Sequence, residues 1–137
     1  MAVIDELIRK GDNGTLDFGN YMLESKTKLS DFEFEGDYYK VKTFREITKL
    51  EKNGLFVYES VEGTTVTGFK ASDSKVSFHV EGLEDVQITL GLEPESTYDV
   101  KIDGKDYGAM KTNLSGKLVI SVELDEGQVR SVEAAKA

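Results

Sequence analysis

The spacing of apolar positions changes once along the chain. Val3, Ile4, Leu7 and Ile8 recur at helical intervals, with Asp5, Glu6, Arg9 and Lys10 on the other side. This predicts a short amphipathic helix over 3–10, ended by Gly11 and the turn-rich Asp12-Asn13-Gly14. A helix of two or three turns is marginal alone and has to rest on a sheet or on a neighbouring chain. From Thr15 onward the period is two. Phe32 and Phe34 alternate with Asp31, Glu33 and Glu35, and Gly36-Asp37 turns the chain. Tyr39, Val41 and Thr43 then share one face, while Tyr38, Lys40, Lys42 and Phe44 share the other. The Asn53-Gly54 step is a strong hairpin signal, and beyond it Leu55 and Val57 oppose Phe56 and Tyr58. These features predict an antiparallel meander. Phe44, Ile47 and Leu50 sit three apart and leave a helix open over 42–52, whereas Thr43, Thr48 and the immediate Asn-Gly turn favour a strand.

Glu62-Gly63-Thr64-Thr65 reads as a joint between two parts, 1–64 and 65–137. Strand-like runs follow at 65–69, 75–80, 86–90, 98–102, 107–111, 118–124 and 129–132. Gly82, Gly91, Gly104, Gly116 and Gly127 punctuate them, with hairpin turns expected at Asp103-Gly104 and Glu126-Gly127. Short strands at this pace predict a sandwich. Pro94 falls in a connection, where no ladder donor is needed.

Leu92-Glu93-Pro94-Glu95-Ser96-Thr97-Tyr98-Asp99-Val100-Lys101-Ile102 resembles the tyrosine-corner segment of fibronectin type III-like modules. The resemblance spans roughly 65–132. It implies that Tyr98 sends its hydroxyl to nearby backbone while Val100 and Ile102 fill a sandwich core. The tryptophan common in an early strand of that family is missing here, and Phe78 is the candidate substitute. The segments Tyr38-Tyr39-Lys40-Val41-Lys42-Thr43-Phe44 and Gly54-Leu55-Phe56-Val57-Tyr58-Glu59 resemble a group of small uncharacterised proteins from Firmicutes, which implies a source and no activity. The expected fold is therefore mostly β, in two parts. Residues 1–64 form a short N-terminal helix and an antiparallel, aromatic-rich meander; residues 65–137 form an immunoglobulin-like, fibronectin type III-like sandwich.

Composition narrows the chemistry. Seven Phe and six Tyr supply rings large enough to fill thin β cores. The formal net charge of −9 is spread along the chain without a tail or basic arm. Such a surface repels nucleic acid and anionic lipid unless lysines gather on one face. Cysteine is absent, which removes disulfides and thiolate chemistry. The start lacks a basic leader before a long apolar run, and no stretch reaches bilayer length. Cytoplasmic residence is the expectation, although a chain with its leader removed reads the same.

The only histidine, His79, alternates with Phe78 and Val80 and has no second histidine or cysteine to share a metal with, so it reads as a surface residue. Glu33, Glu35, Glu46 and Glu59 lie among aromatic residues and are the candidates for a glycosidase-type acid pair. The loop from Asp12 to Asp17 opens like a calcium loop but lacks the later glutamate, and Asp103 to Asp106 is shorter still; both read as turns. Asn113-Leu114-Ser115 fits a glycosylation triplet and reads as a turn between strands. No phosphate-cradling or dinucleotide motif occurs.

No metal or cofactor is expected. Tyr38, Tyr39, Phe56 and Tyr58 are the candidate contact surface, because aromatic residues occupy both faces of two strands and only one face can be core. A noncatalytic interaction or structural module is the expected function, with a protein partner, a second copy of the chain included. A carbohydrate-binding accessory protein and a carboxylate-based glycan-processing enzyme are the alternatives.

Overall fold

The computed structural model describes residues 3–137. Thirteen strands are present among them: β1 (Ile8–Lys10), β2 (Leu16–Phe18), β3 (Thr27–Phe34), β4 (Asp37–Phe44), β5 (Ile47–Lys52), β6 (Leu55–Val61), β7 (Thr65–Ala71), β8 (Lys75–Glu81), β9 (Val86–Gly91), β10 (Thr97–Ile102), β11 (Lys105–Lys111), β12 (Lys117–Val122) and β13 (Val129–Lys136). They form two open sheets of seven and six strands, in the orders β1-β2-β7-β8-β13-β10-β11 and β12-β9-β6-β5-β4-β3. Neither closes into a barrel.

Two-residue alternation explains most of the layering. Tyr98, Val100 and Ile102 of β10 and Leu118, Ile120 and Val122 of β12 are buried, and the residues between them are exposed. The inner faces meet in one apolar core. Its centre is a group of rings: Tyr58 lies edge-on to Phe18 at 5.3 Å and to Phe78 at 5.6 Å, and Phe69 joins both Phe18 and Phe78. Edge-to-face contacts of this kind add to the burial of the rings themselves.

The expected helix over 3–10 is not present, and no helix occurs among the described residues. Ile4, Leu7 and Ile8 are buried, but through a turn and a strand. Leu7 N–H donates to the Ile4 carbonyl at 2.9 Å, Leu7 adopts a positive φ of 71°, and β1 then pairs with β2. The pairing wins because it supplies partners to Ile4, Leu7 and Gly19 backbone, whereas a helix this short gains too few bonds to repay its nucleation.

The expected fibronectin type III-like sandwich of the C-terminal half is corrected as well. Strands β7–β13 do not build a sandwich of their own; β7 pairs with β2, and β9 pairs with β6. Both sheets thus draw strands from either side of residue 64. Tyr98 is buried and its hydroxyl accepts a hydrogen bond from Glu93 N–H at 3.2 Å, and Phe78 lies in the ring cluster. These local features serve a larger two-sheet fold.

Buried hydroxyls tie the six-stranded sheet to the chain entering β7. Thr48 Oγ1 donates to the Thr64 carbonyl at 2.8 Å and accepts from Thr64 N–H at 3.0 Å. With its one proton used, Thr48 must also accept from Thr43 Oγ1, 2.8 Å away, and Thr43 accepts from Asn20 N–H. Thr64 Oγ1 meets Tyr58 Oη at 2.8 Å and Ser60 Oγ at 2.7 Å. Burial pushes the Tyr58 hydroxyl well above its ordinary pKa, so it stays neutral in this network.

Candidate binding face

The outer side of β3–β6 holds the exposed part of the aromatic set. Its geometry begins at the β5–β6 turn. Asn53 and Gly54 both take positive φ, 51° and 78°, as a tight hairpin turn of this type requires. Asn53 then reaches back to β4: its Oδ1 accepts from Tyr38 N–H at 3.0 Å, its own N–H donates to the Tyr38 carbonyl at 2.7 Å, and its Nδ2 donates to Asp37 Oδ1 at 2.9 Å. Lys52 lies 3.4 Å from the same carboxylate. The Asn53 hydrogen bond, with help from Lys52, holds Asp37 below its ordinary pKa. The Tyr38 backbone is therefore fixed while its ring, in a residue 53% exposed, stands in solvent.

The four ring residues named from sequence do not form one surface. Tyr38 points outward, and Tyr39 is buried edge-on to Phe34 at 6.2 Å. Tyr58 is fully buried, whereas Phe56 is half-buried on the outer side beneath the Lys117 ammonium, 4.8 Å from the ring centre. Phe56 and Tyr58 have the same parity and should share a face. They do not, because Leu50 pairs with Tyr58 and Glu51 with Phe56, leaving Val57 as an extra residue in β6. A bulge of this kind reverses the alternation at one step.

The lysines are the feature that sequence reasoning missed. Cross-strand register places Lys28 opposite Lys42, and Lys42 opposite Lys49. Lys28, Lys40, Lys42 and Lys49 with Glu51 line a hollow of about 70 Å³. Beside it, Ser30, Asp31, Tyr38, Tyr39, Lys40, Glu51, Asn53 and Gly54 line a shallower, more open one of about 530 Å³. The two adjoin through Lys40 and Glu51. Partial burial, then the ammonium groups of Lys26, Lys49 and Lys28, hold Lys42 below its ordinary pKa, against the pull of Glu59. Separations of 14 and 7 residues carry no periodic signal, so only the pairing register brings these three lysines together.

Of the acids named from sequence, Glu33, Glu35 and Glu46 are exposed, and Glu59 lies opposite Lys49. The carboxyl pair is instead Glu62 with Glu84, beside Tyr21 and Arg45 in a hollow of about 90 Å³. A hydrogen bond to Glu84 raises the pKa of Glu62. Tyr21 is buried and its hydroxyl has no partner among the described residues. Burial and the nearby charges of Glu81 and Glu126 push that hydroxyl up to about 12. A fourth hollow, about 470 Å³, opens between the sheets next to Phe34, Tyr39, Val57 and Phe69.

His79 is exposed on β8 between Thr67 and Ser131. Among the described residues no three His, Asp or Glu side chains converge to hold a metal ion. Asp17 is engaged by Arg9 and by Gly68 N–H, and Asp103 by Arg130 and Ser131 N–H. Asn113 Oδ1 accepts from Ser115 and Lys117 N–H groups and shapes the turn before β12. No described helix is long and apolar enough to cross a membrane. Comparison with protein-family models, curated proteins and solved structures finds no match to the chain.

Proposed function

We propose that the chain is a noncatalytic interaction module whose contact surface is the outer face of β3–β6. The observation that carries this reading is Tyr38: a large ring held in solvent by a backbone clamped at Asn53, on a strand whose alternate residues are locked into the core. A rigid exposed ring contributes contact area at small entropic cost on binding. Phe56 and Lys117 continue the face toward β12. The partner in this reading is a protein, a second copy of the chain included, or a carbohydrate, and a cytoplasmic setting belongs to the same proposal. The carbohydrate reading is favoured by the open hollow around Tyr38, where Ser30, Asp31 and Glu51 offer polar groups to sugar hydroxyls.

Carboxylate-based glycan processing fits less well. That chemistry places two carboxyls roughly 5–10 Å apart on either side of a glycosidic bond. Glu62 and Glu84 are exposed and hydrogen-bonded to each other, leaving no room for a sugar between them.

The test is binding of the intact chain to an array of oligosaccharides and peptides, alongside Tyr38→Ser and Phe56→Ser, each checked for folding by circular dichroism. The reading expects ligands whose binding falls in Tyr38→Ser. If folded Tyr38→Ser and Phe56→Ser bind every ligand at full strength, the face is not the contact surface.

A further inference from the structure

We propose that this face binds a phosphorylated sugar, with the phosphate among Lys28, Lys42 and Lys49 and the sugar laid on Tyr38. The inference rests on the reading of the outer β3–β6 face as a contact surface, and gives its ligand a chemical class.

Like charges directly opposite on neighbouring strands destabilise a sheet, and here two such pairs occur in succession, Lys28–Lys42 and Lys42–Lys49. Among the described residues Lys28, Lys40 and Lys42 form no ion pair, while Lys49 has Glu51 at 3.8 Å and Glu59 opposite. Edge strands often carry lysine to block pairing with another chain. That accounts for Lys28 on edge strand β3. It does not account for Lys42 and Lys49, because β4 and β5 are interior strands. In a chain of net charge −9, this concentration of ammonium groups is best explained by an anion that bridges them.

The size of the patch selects the anion. With strands about 4.8 Å apart, the three lysines span roughly 10 Å across the sheet, and Lys40 lies about 7 Å along β4 from Lys42. A protein interface needs about 800 Å² from each partner, much more than this patch, whereas one phosphate carries nearly two negative charges and fits within it. Arginine forks match carboxylate and phosphate alike, whereas ammonium groups act as point charges that can converge on one compact, doubly charged group such as phosphate. A long polyanion would run past the patch to the exposed Asp31 and Glu33 of β3, which repel it. The ligand is therefore short. The second hollow says what the phosphate is attached to: it shares Lys40 and Glu51 with the lysine hollow and offers the Tyr38 ring with Ser30 and Asp31. A ring for the apolar face of a sugar and polar groups for its hydroxyls are the elements of a saccharide site.

Calorimetric titration of the intact chain with trehalose 6-phosphate, trehalose and inorganic phosphate tests this. The phosphorylated disaccharide should bind roughly tenfold or more tightly than either of the others. Lys42→Gln should weaken it by a similar factor, Tyr38→Ser should reduce it to the affinity of inorganic phosphate, and Lys105→Gln on the other sheet should change nothing. No binding of trehalose 6-phosphate, equal binding by folded Lys42→Gln, or inorganic phosphate binding as tightly overturns the proposal. Tighter, Lys42-dependent binding to duplex DNA, to phosphatidylglycerol vesicles or to an acidic peptide overturns it in favour of that partner. Array ligands that require Tyr38 but ignore Lys42 would remove the phosphorylated sugar and leave the contact face standing. Ring variants that keep all array binding remove the face itself.

Discussion

Strands β4 and β5 carry two neighbouring cross-strand pairs that face opposite ways. Thr43 and Thr48 point inward, 2.8 Å apart, and their hydroxyls are fully used by each other, by Asn20 and by Thr64. Lys42 and Lys49, one residue away on each strand, point outward with charges of the same sign. Inside the sandwich a polar group without a partner is costly, so the threonines are arranged until each is satisfied. Outside, water dilutes the repulsion between lysines and an unfavourable pair survives. The contrast separates what the fold requires from what it merely tolerates. The tolerated pair is where a role outside folding has to be sought.

The comparison breaks first at its inner side. Tyr58→Ser removes the central ring and one end of the hydroxyl network; a loss of about 4 kcal/mol is expected in urea unfolding. Thr48→Val keeps the shape but strips partners from Thr64 N–H and C=O, and should cost about 2–3 kcal/mol. A loss below 1 kcal/mol would mean that the network is not what joins β5 to the start of β7.

The outer pair should behave in the opposite sense. Lys42→Gln relieves two like-charge contacts and should stabilise the fold by about 0.5 kcal/mol, an increment that shrinks as sodium chloride is raised. Destabilisation by this variant at every salt concentration would show that Lys42 is part of the framework. The smallest effect concerns Glu62. Its folded pKa is raised by the hydrogen bond to Glu84, so its contribution is fully present below the unfolded value near 4.5 and is lost as pH rises through the higher folded value. Glu84→Gln should flatten stability against pH in that window, and an unchanged pH profile would show that the pair shares no proton.

Much of the layering is legible in the sequence. Asn53-Gly54 named its own turn, and adjacent Tyr38 and Tyr39 had to part to opposite faces. The failures share a cause: each depended on what a segment pairs with. The stripe Ile4, Leu7 and Ile8 is buried as a helix would bury it, yet β2 offered a better partner. Phe56 and Tyr58 were separated by a bulge that depends on β5. The lysine row and the Glu62–Glu84 pair exist only through contacts between distant segments, which no local period encodes.

The place of β13 carries a consequence for how the molecule is made. This strand comes late in the chain yet lies between β8 and β10, with Val132 opposite both Phe78 and Ile102. Without it the larger sheet divides into two ribbons, β1-β2-β7-β8 and β10-β11, each with an unpaired border. Assembly therefore waits on contacts between distant parts of the chain, a situation associated with slow folding and a prolonged exposure to aggregation.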